Sequence, residues 1–179
     1  MSRRKKLKYS YDPSRDPFEL AIDDRFRPSE LPISPSKLED LARLRELILT
    51  GEVQVDSICD ESTLLAEVAQ TGHLETVQTM LEAGANVNLP SENPDVTTAL
   101  IGAATGGNLE IVELLVEHGA DVNQIRGGTF ALIVAGKEGH QDIFNYLAPL
   151  TNPKLIEKAF DWLTYYGSQV DLDILVDLA

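Results

Sequence analysis

Residues 72–88 read Gly-His-Leu-Glu-Thr-Val-Gln-Thr-Met-Leu-Glu-Ala-Gly-Ala-Asn-Val-Asn, and residues 107–123 read Gly-Asn-Leu-Glu-Ile-Val-Glu-Leu-Leu-Val-Glu-His-Gly-Ala-Asp-Val-Asn. From Gly72 to Gly107 is 35 residues, and glycines and apolar side chains return in matching slots. Self-similarity at this period marks a chain of stacked units, none of which buries its apolar face alone.

The pattern extends in both directions. Upstream, Leu41, Leu44, Leu47, Ile48 and Gly51 lie 33 residues before Leu74, Val77, Met80, Leu81 and Gly84. Ser36, with Glu39 three residues on, is placed to start a helix with a capping box, and Gly51 to stop it. This front unit is incomplete, because its first helix would fall in the proline-rich stretch 29–35. Downstream, each full unit predicts two short helices about an inter-helix glycine, over 63–70 and 73–82, 98–105 and 108–117, and 130–137 and 141–147. Ala69, Ala103, Ala104, Ala135 and Gly136 are small enough for close helix packing. Val77, Leu81, Val112, Leu115, Phe144 and Leu147 are the expected core. Helices this short are not stable alone in water, so stability must come from stacking. After Pro153 a helix over 154–165 and another over 170–178 read as a degenerate closing unit.

Composition narrows the function. Residues 1–50 hold 11 Lys and Arg against 9 Asp and Glu, whereas 51–179 hold 4 against 20. Between 51 and 125 there are 13 acidic residues and no Lys or Arg. Such a body repels phosphate backbones, which argues against nucleic-acid binding by it. A solvated acidic surface that maintains solubility accounts for the charge equally well. No apolar run reaches the roughly 18–20 residues of a bilayer span. The start has no apolar stretch behind its basic residues, which speaks against a secretory signal. Cys59 is the single cysteine; it reads as a buried or half-buried thiol in a reducing compartment. The expectation is a cytoplasmic protein, with the nucleus open to it in a eukaryotic host.

Residues 1–35 carry five of the nine prolines among alternating charges and read as an extended or disordered segment. Phe18, Leu20 and Ile22 offer it one short anchoring contact. Its basic cluster, Arg3-Arg4-Lys5-Lys6-Leu7-Lys8-Tyr9, reads first as a solvated tail. The alternatives are an import signal, an anionic contact, or docking onto the chain's own acidic body.

Three segments then align: Thr63-Leu64-Leu65-Ala66-Glu67-Val68-Ala69-Gln70-Thr71-Gly72-His73, Thr98-Ala99-Leu100-Ile101-Gly102-Ala103-Ala104-Thr105-Gly106-Gly107-Asn108, and Phe130-Ala131-Leu132-Ile133-Val134-Ala135-Gly136-Lys137-Glu138-Gly139-His140. Together with the Gly-Ala-Asn-Val-Asn and Gly-Ala-Asp-Val-Asn tags at 84–88 and 119–123, they resemble the ankyrin repeat pattern, Thr-Pro-Leu-His-x-Ala-Ala-x-x-Gly-His, over roughly 37–150. The Pro and His of that pattern are missing from all three copies, which removes helix-start hydrogen bonding usual in the family. The third copy has Ala148-Pro149-Leu150-Thr151-Asn152 in place of the tag.

The resemblance implies an all-α solenoid of antiparallel helix pairs with projecting β-turn or loop tips, in about three and a half to five units. It implies inter-unit backbone hydrogen bonds from His73, Asn108 and His140. It also implies binding of another protein, as adaptor, scaffold or regulatory subunit, through loop tips and the inner helix face. The free slots there are Asp60, Ser62, Gln70 and Thr71, then Asp95, Thr97 and Thr105, then Arg126, Thr129, Lys137 and Glu138. The lengthened loop 89–97 is the best single candidate for specificity. The alternative function is nucleic-acid or anionic-membrane binding driven by the basic tail.

Catalysis has no sequence support. Glu75, Glu110 and Asp142 recur at helix starts, where negative charge favours the helix dipole. There is no nucleophile elbow, phosphate-binding loop or Cys/His metal spacing. No enzyme activity, cofactor, metal or small-molecule substrate is expected, and the free chain is expected to be a monomer. His118 is expected to face solvent at a helix end. Trp162, Tyr165 and Tyr166 read as packing of the closing unit.

Overall fold

The computed structural model describes residues 38–59, 62–89 and 97–178. The expectations for the N-terminal segment 1–35, for Asp60 and Asp95, for the middle of the 89–97 loop and for the Cys59 side chain lie outside what it describes.

Among the described residues, helix α1 (Leu38–Leu49) is followed by a two-stranded antiparallel hairpin, β1 (Ile58–Cys59) and β2 (Ser62–Thr63). Helix pairs α2 (Leu64–Thr71) and α3 (Leu74–Glu82), α4 (Ala99–Gly106) and α5 (Leu109–Glu117), and α6 (Ala131–Glu138) and α7 (Gln141–Leu147) follow. A 3-10 turn (Ala148–Leu150), α8 (Pro153–Tyr166) and α9 (Asp173–Leu178) come after them. The first helices α2, α4, α6 and α8 pack side by side in one layer, and α1, α3, α5 and α7 form the other.

The first helices approach one another more closely than the second helices do, and side-chain size is the reason. Ala69, Ala103, Ala104 and Ala135 are fully buried between them. A Cβ added at Gly102 would collide with the Ala66 carbonyl of the preceding unit, and one at Gly136 would lie 2.7 Å from Leu163 Cδ1. Val77, Met80, Ile111, Val112, Leu115, Ile143, Phe144 and Leu147 fill the space between layers. Leu81, expected among them, is only half-buried; Met80, one residue earlier on the helix, is fully buried instead. Fully burying such a side chain contributes about 1.5–3 kcal/mol.

Helix starts keep more hydrogen bonding than the missing Pro and His suggest. The Thr63 hydroxyl accepts from Ala66 N at 3.0 Å and the Thr98 hydroxyl from Ile101 N at 3.4 Å. Threonine in an extended backbone is a competent cap, since its oxygen reaches the third amide of the turn. Of the first helices α2, α4, α6 and α8, only α6 starts without a side-chain cap, at the buried Phe130.

Gly72, Gly107 and Gly139 have φ of 81°, 73° and 85°, a region costly for other residues. They also yield space to the next unit. A Cβ on Gly72 would lie 2.5 Å from Asn108 Oδ1, and one on Gly107 2.5 Å from His140 Cε1. Asn108 Nδ2 donates to the Ala69 and Gln70 carbonyls at 3.2 and 3.3 Å. His140 Nε2 meets the Thr105 carbonyl at 3.3 Å; a carbonyl only accepts, so this nitrogen carries the proton. His73 departs from the expected inter-unit bond: its Nδ1 pairs with Thr76 Oγ1 at 2.7 Å in its own helix. The first helix that it would bridge to falls in the 29–35 register, outside the described residues. His118 is exposed as expected, its Nδ1 on the Leu114 carbonyl at 2.8 Å.

The recurring tags form a second inter-unit ladder. Asp56 Oδ1 accepts from Asn86 N at 2.7 Å, Asn88 Oδ1 from Asp121 N at 2.8 Å, and Asn123 Oδ1 from Asn152 N at 2.8 Å. Asn88 Nδ2 also donates to the Gly119 carbonyl at 2.7 Å. The altered tag of the third copy therefore still receives through Asn152, which also caps α8 by accepting from Lys154 N at 2.9 Å.

The closing unit corrects one expectation. The helix proposed for 170–178 begins only at Asp173. Gln169 N donates to the Gly136 carbonyl at 3.1 Å and Asp171 N to Gln141 Oε1 at 2.6 Å, so two amides of the backbone between α8 and α9 are bonded to the preceding unit instead of into a helix.

Candidate functional site

The inter-helix glycines fix a common register for the first helices. Counting back from Gly72, Gly107, Gly139 and Gly167 aligns Gln70, Thr105, Lys137 and Tyr165 in one file, and Thr71, Gly106, Glu138 and Tyr166 in the next. A third file holds Glu67, Gly102, Val134 and Trp162. Buried positions confirm the last alignment: Ala131 and Ala159 correspond, as do Ala135 and Leu163, and all four are buried. The first two files cross four units on the inner layer and are exposed except at the half-buried Thr105.

Most expected site residues within these files are already engaged by the fold. The Thr71 hydroxyl donates to the Val68 carbonyl at 2.7 Å and the Thr105 hydroxyl to the Ile101 carbonyl at 2.8 Å. Each oxygen keeps acceptor capacity toward the outside. Lys137 Nζ bonds Glu138 Oε1 at 3.0 Å, a surface pair of little energetic weight. Gln70 is exposed at the end of α2, its carbonyl taken by Asn108.

The remaining described residues sit at the tips. Ser62 donates to Glu67 Oε1 at 2.7 Å and forms a parallel bridge with Thr97, whose carbonyl accepts from Thr63 N at 3.3 Å. Arg126 and Thr129 exchange backbone hydrogen bonds of 2.8 Å both ways across Gly127 and Gly128, which closes a short hairpin. Ser62, Thr97, Arg126 and Thr129 are all half-buried. The structure thus joins the first two tips through the Ser62 and Thr97 bridge and closes the third as a short hairpin.

The sequence reading missed the fourth unit's contribution. Trp162 is half-buried against the core, as expected, but Tyr165 is 81% and Tyr166 66% exposed. They occupy the slots of the exposed Lys137 and Glu138, so the closing unit has no core position for them. The available signal was the contracted spacing of 28 residues from Gly139 to Gly167. The three rings touch: Trp162 and Tyr166 centroids lie 4.7 Å apart at 35°, and Tyr165 and Tyr166 4.8 Å apart at 78°.

On the outer layer, Tyr146 faces Glu113 and Glu117, and its hydroxyl is held above the ordinary tyrosine range, by burial first and then by these two carboxylates. Arg45 of α1 reaches α3, with Nη1 2.7 Å from Glu75 Oε2 and Nε 3.2 Å from Thr79 Oγ1. Among the described residues no three His, Cys, Asp or Glu side chains gather as a metal would require, and no helix is long and apolar enough to cross a membrane.

Paired short helices, hairpin tips and an inner face of unlike exposed residues define a helical repeat protein. A family model for ankyrin repeats, in three copies, matches residues 65–157, and the chain belongs to the ankyrin repeat family. Repeats of this family are generally protein–protein interaction modules. No curated protein matches the chain.

Proposed function

We propose that this protein is an adaptor, scaffold or regulatory subunit that recognises another protein through its tips and inner helix face, without catalysis or a cofactor. The observation that carries the reading is the contrast between constant and free slots. Residues that recur from unit to unit (Gly72 with Asn108, Gly107 with His140, Asn88 with Asp121) hold the units together. The slots that differ between units lie in adjoining files, exposed except at the half-buried Thr105. An ordered surface with unrepeated chemistry along one side can discriminate partners at little ordering cost.

The test is affinity capture with the wild-type chain beside a variant carrying Gln70→Ala, Thr97→Ala and Lys137→Ala. None of the three side chains belongs to the hydrophobic core, so the variant is expected to fold, with loss of the captured partner. Equal retention of that partner by both proteins would sink the placement of the surface.

A further inference from the structure

The recognition reading leaves the partner's chemistry open, and the closing unit narrows it. Tyr165 and Tyr166 are large aromatic side chains displayed on an ordered helix, with Trp162 packed beside them. Mutual ring contact fixes the cluster before any partner arrives, which lowers the entropy cost of using it. Two exposed carboxylates share the surface: Asp161 lies four residues before Tyr165, and Glu157 four before Asp161, so the three form one stripe along α8. Lys158 leads the neighbouring stripe to Trp162 and Tyr166, while Lys137 across on α6 is held by Glu138.

The wider field is acidic on balance, although all four basic residues of 51–179 lie within 126–158 and two of them, Lys154 and Lys158, on α8 itself. Residues 51–179 carry 20 acidic against 4 basic side chains. A field of this sign draws cations toward the stack and repels a second copy of the same chain. Among cations, arginine suits the surface best. Its planar guanidinium stacks on an aromatic face while forking to a carboxylate, which a point-charge ammonium does less well.

Resting on the recognition reading, we infer that the C-terminal end of the inner face, formed by Trp162, Tyr165 and Tyr166 with Asp161 and Glu157 beside them, receives an arginine-bearing segment of the partner protein. The acidic units upstream steer that segment and the aromatic cluster seats it.

The experiment titrates the full chain with a labelled peptide of alternating arginine and serine. Controls of equal length replace each arginine with glutamine, glutamate or norleucine. Trp162 is the only tryptophan, so its fluorescence reports on the cluster directly. The arginine peptide is expected to bind more tightly than every control and to change that fluorescence. Tyr165→Ala with Tyr166→Ala is expected to weaken it about fivefold or more, and Tyr→Phe at both positions to keep most of the affinity, since the ring supplies the attraction. Asp161→Asn is expected to weaken binding and to reduce its salt dependence.

Equal affinity for the arginine and glutamine peptides overturns the inference. So does tighter binding of norleucine, which indicates an apolar partner, or arginine binding indifferent to both tyrosine changes, which places it elsewhere on the acidic body. Self-association in sedimentation that disappears with Tyr166→Ala overturns it in favour of a second copy. A captured partner lost with the Gln70, Thr97 and Lys137 variant but indifferent to the tyrosine changes overturns this inference alone and leaves the recognition reading standing.

Discussion

Asn88 shows how much one side chain can hold between units. Its Oδ1 takes the Asp121 amide and its Nδ2 the Gly119 carbonyl. Asn88→Ala removes both bonds and is expected to cost about 1–2 kcal/mol in urea denaturation. Gly102 makes a different demand. An added methyl would enter the Ala66 carbonyl, and main chain cannot swing aside. Gly102→Ala is expected to cost about 1–3 kcal/mol through overpacking of the first-helix layer. At Gly84, by contrast, the added atom meets open space and only the φ of 90° objects. Gly84→Ala should therefore be milder, about 1 kcal/mol. If the two substitutions shift the urea midpoint equally, close approach is not what selects Gly102. Tyr146 links one residue to pH. Its folded form holds the phenolic proton more tightly than the unfolded form does. Stability should therefore fall as pH rises through the tyrosine range near about 10. Tyr146→Phe is expected to flatten that fall, and parallel stability curves for the two proteins would remove the Tyr146 contribution.

At the scale of elements, the sequence was informative wherever a local signal sufficed. Apolar spacing and glycine stops placed α2 to α7 to within about a residue at each end, because i, i+3, i+4 periodicity and positive-φ glycines are local properties. The start of α9 was not legible, because Gly136 and Gln141 hold the 169–171 backbone from another unit. Candidate-site residues were legible by register in three units. The fourth was lost because its spacing contracts and its aromatic residues read naturally as core. The closing pair also carries a prediction. Leu175, fully buried, anchors α9 against α8 and the 3-10 turn. Leu175→Ala is expected to remove about 2–4 kcal/mol locally. Hydrogen exchange should rise in α8 and α9 before it rises in α2 to α5, since repeat units couple mainly to their neighbours. Uniform loss of protection along the stack would instead mean that it opens as a single unit.

For the whole molecule, charge and architecture act together. A net charge of −14 repels itself within a narrow stack. Added sodium chloride is expected to raise the melting temperature by screening that repulsion over about 8–10 Å at moderate ionic strength. The same salt is expected to weaken binding of the arginine peptide, so stability and affinity should move in opposite directions. A melting temperature that falls as salt rises would show that attractive pairs such as Arg45 with Glu75 outweigh the repulsion.

The tag ladder has a direction, and that direction bears on which changes the chain can absorb. At every rung the side chain belongs to the earlier unit and the amide to the later one: Asp56 to Asn86, Asn88 to Asp121, Asn123 to Asn152. An amide comes with almost any residue, whereas the acceptor must be spelled out. A unit can thus forget its own tag and still be held by its predecessor, but it can no longer hold a successor. Two residues beyond Asn152, where Asn88 and Asn123 would have their counterpart, stands Lys154, which can give but not receive. The unit that begins at Asn152 is therefore expected to tolerate changes in its own tag better than the units before it, and to be freer to acquire surface residues of its own.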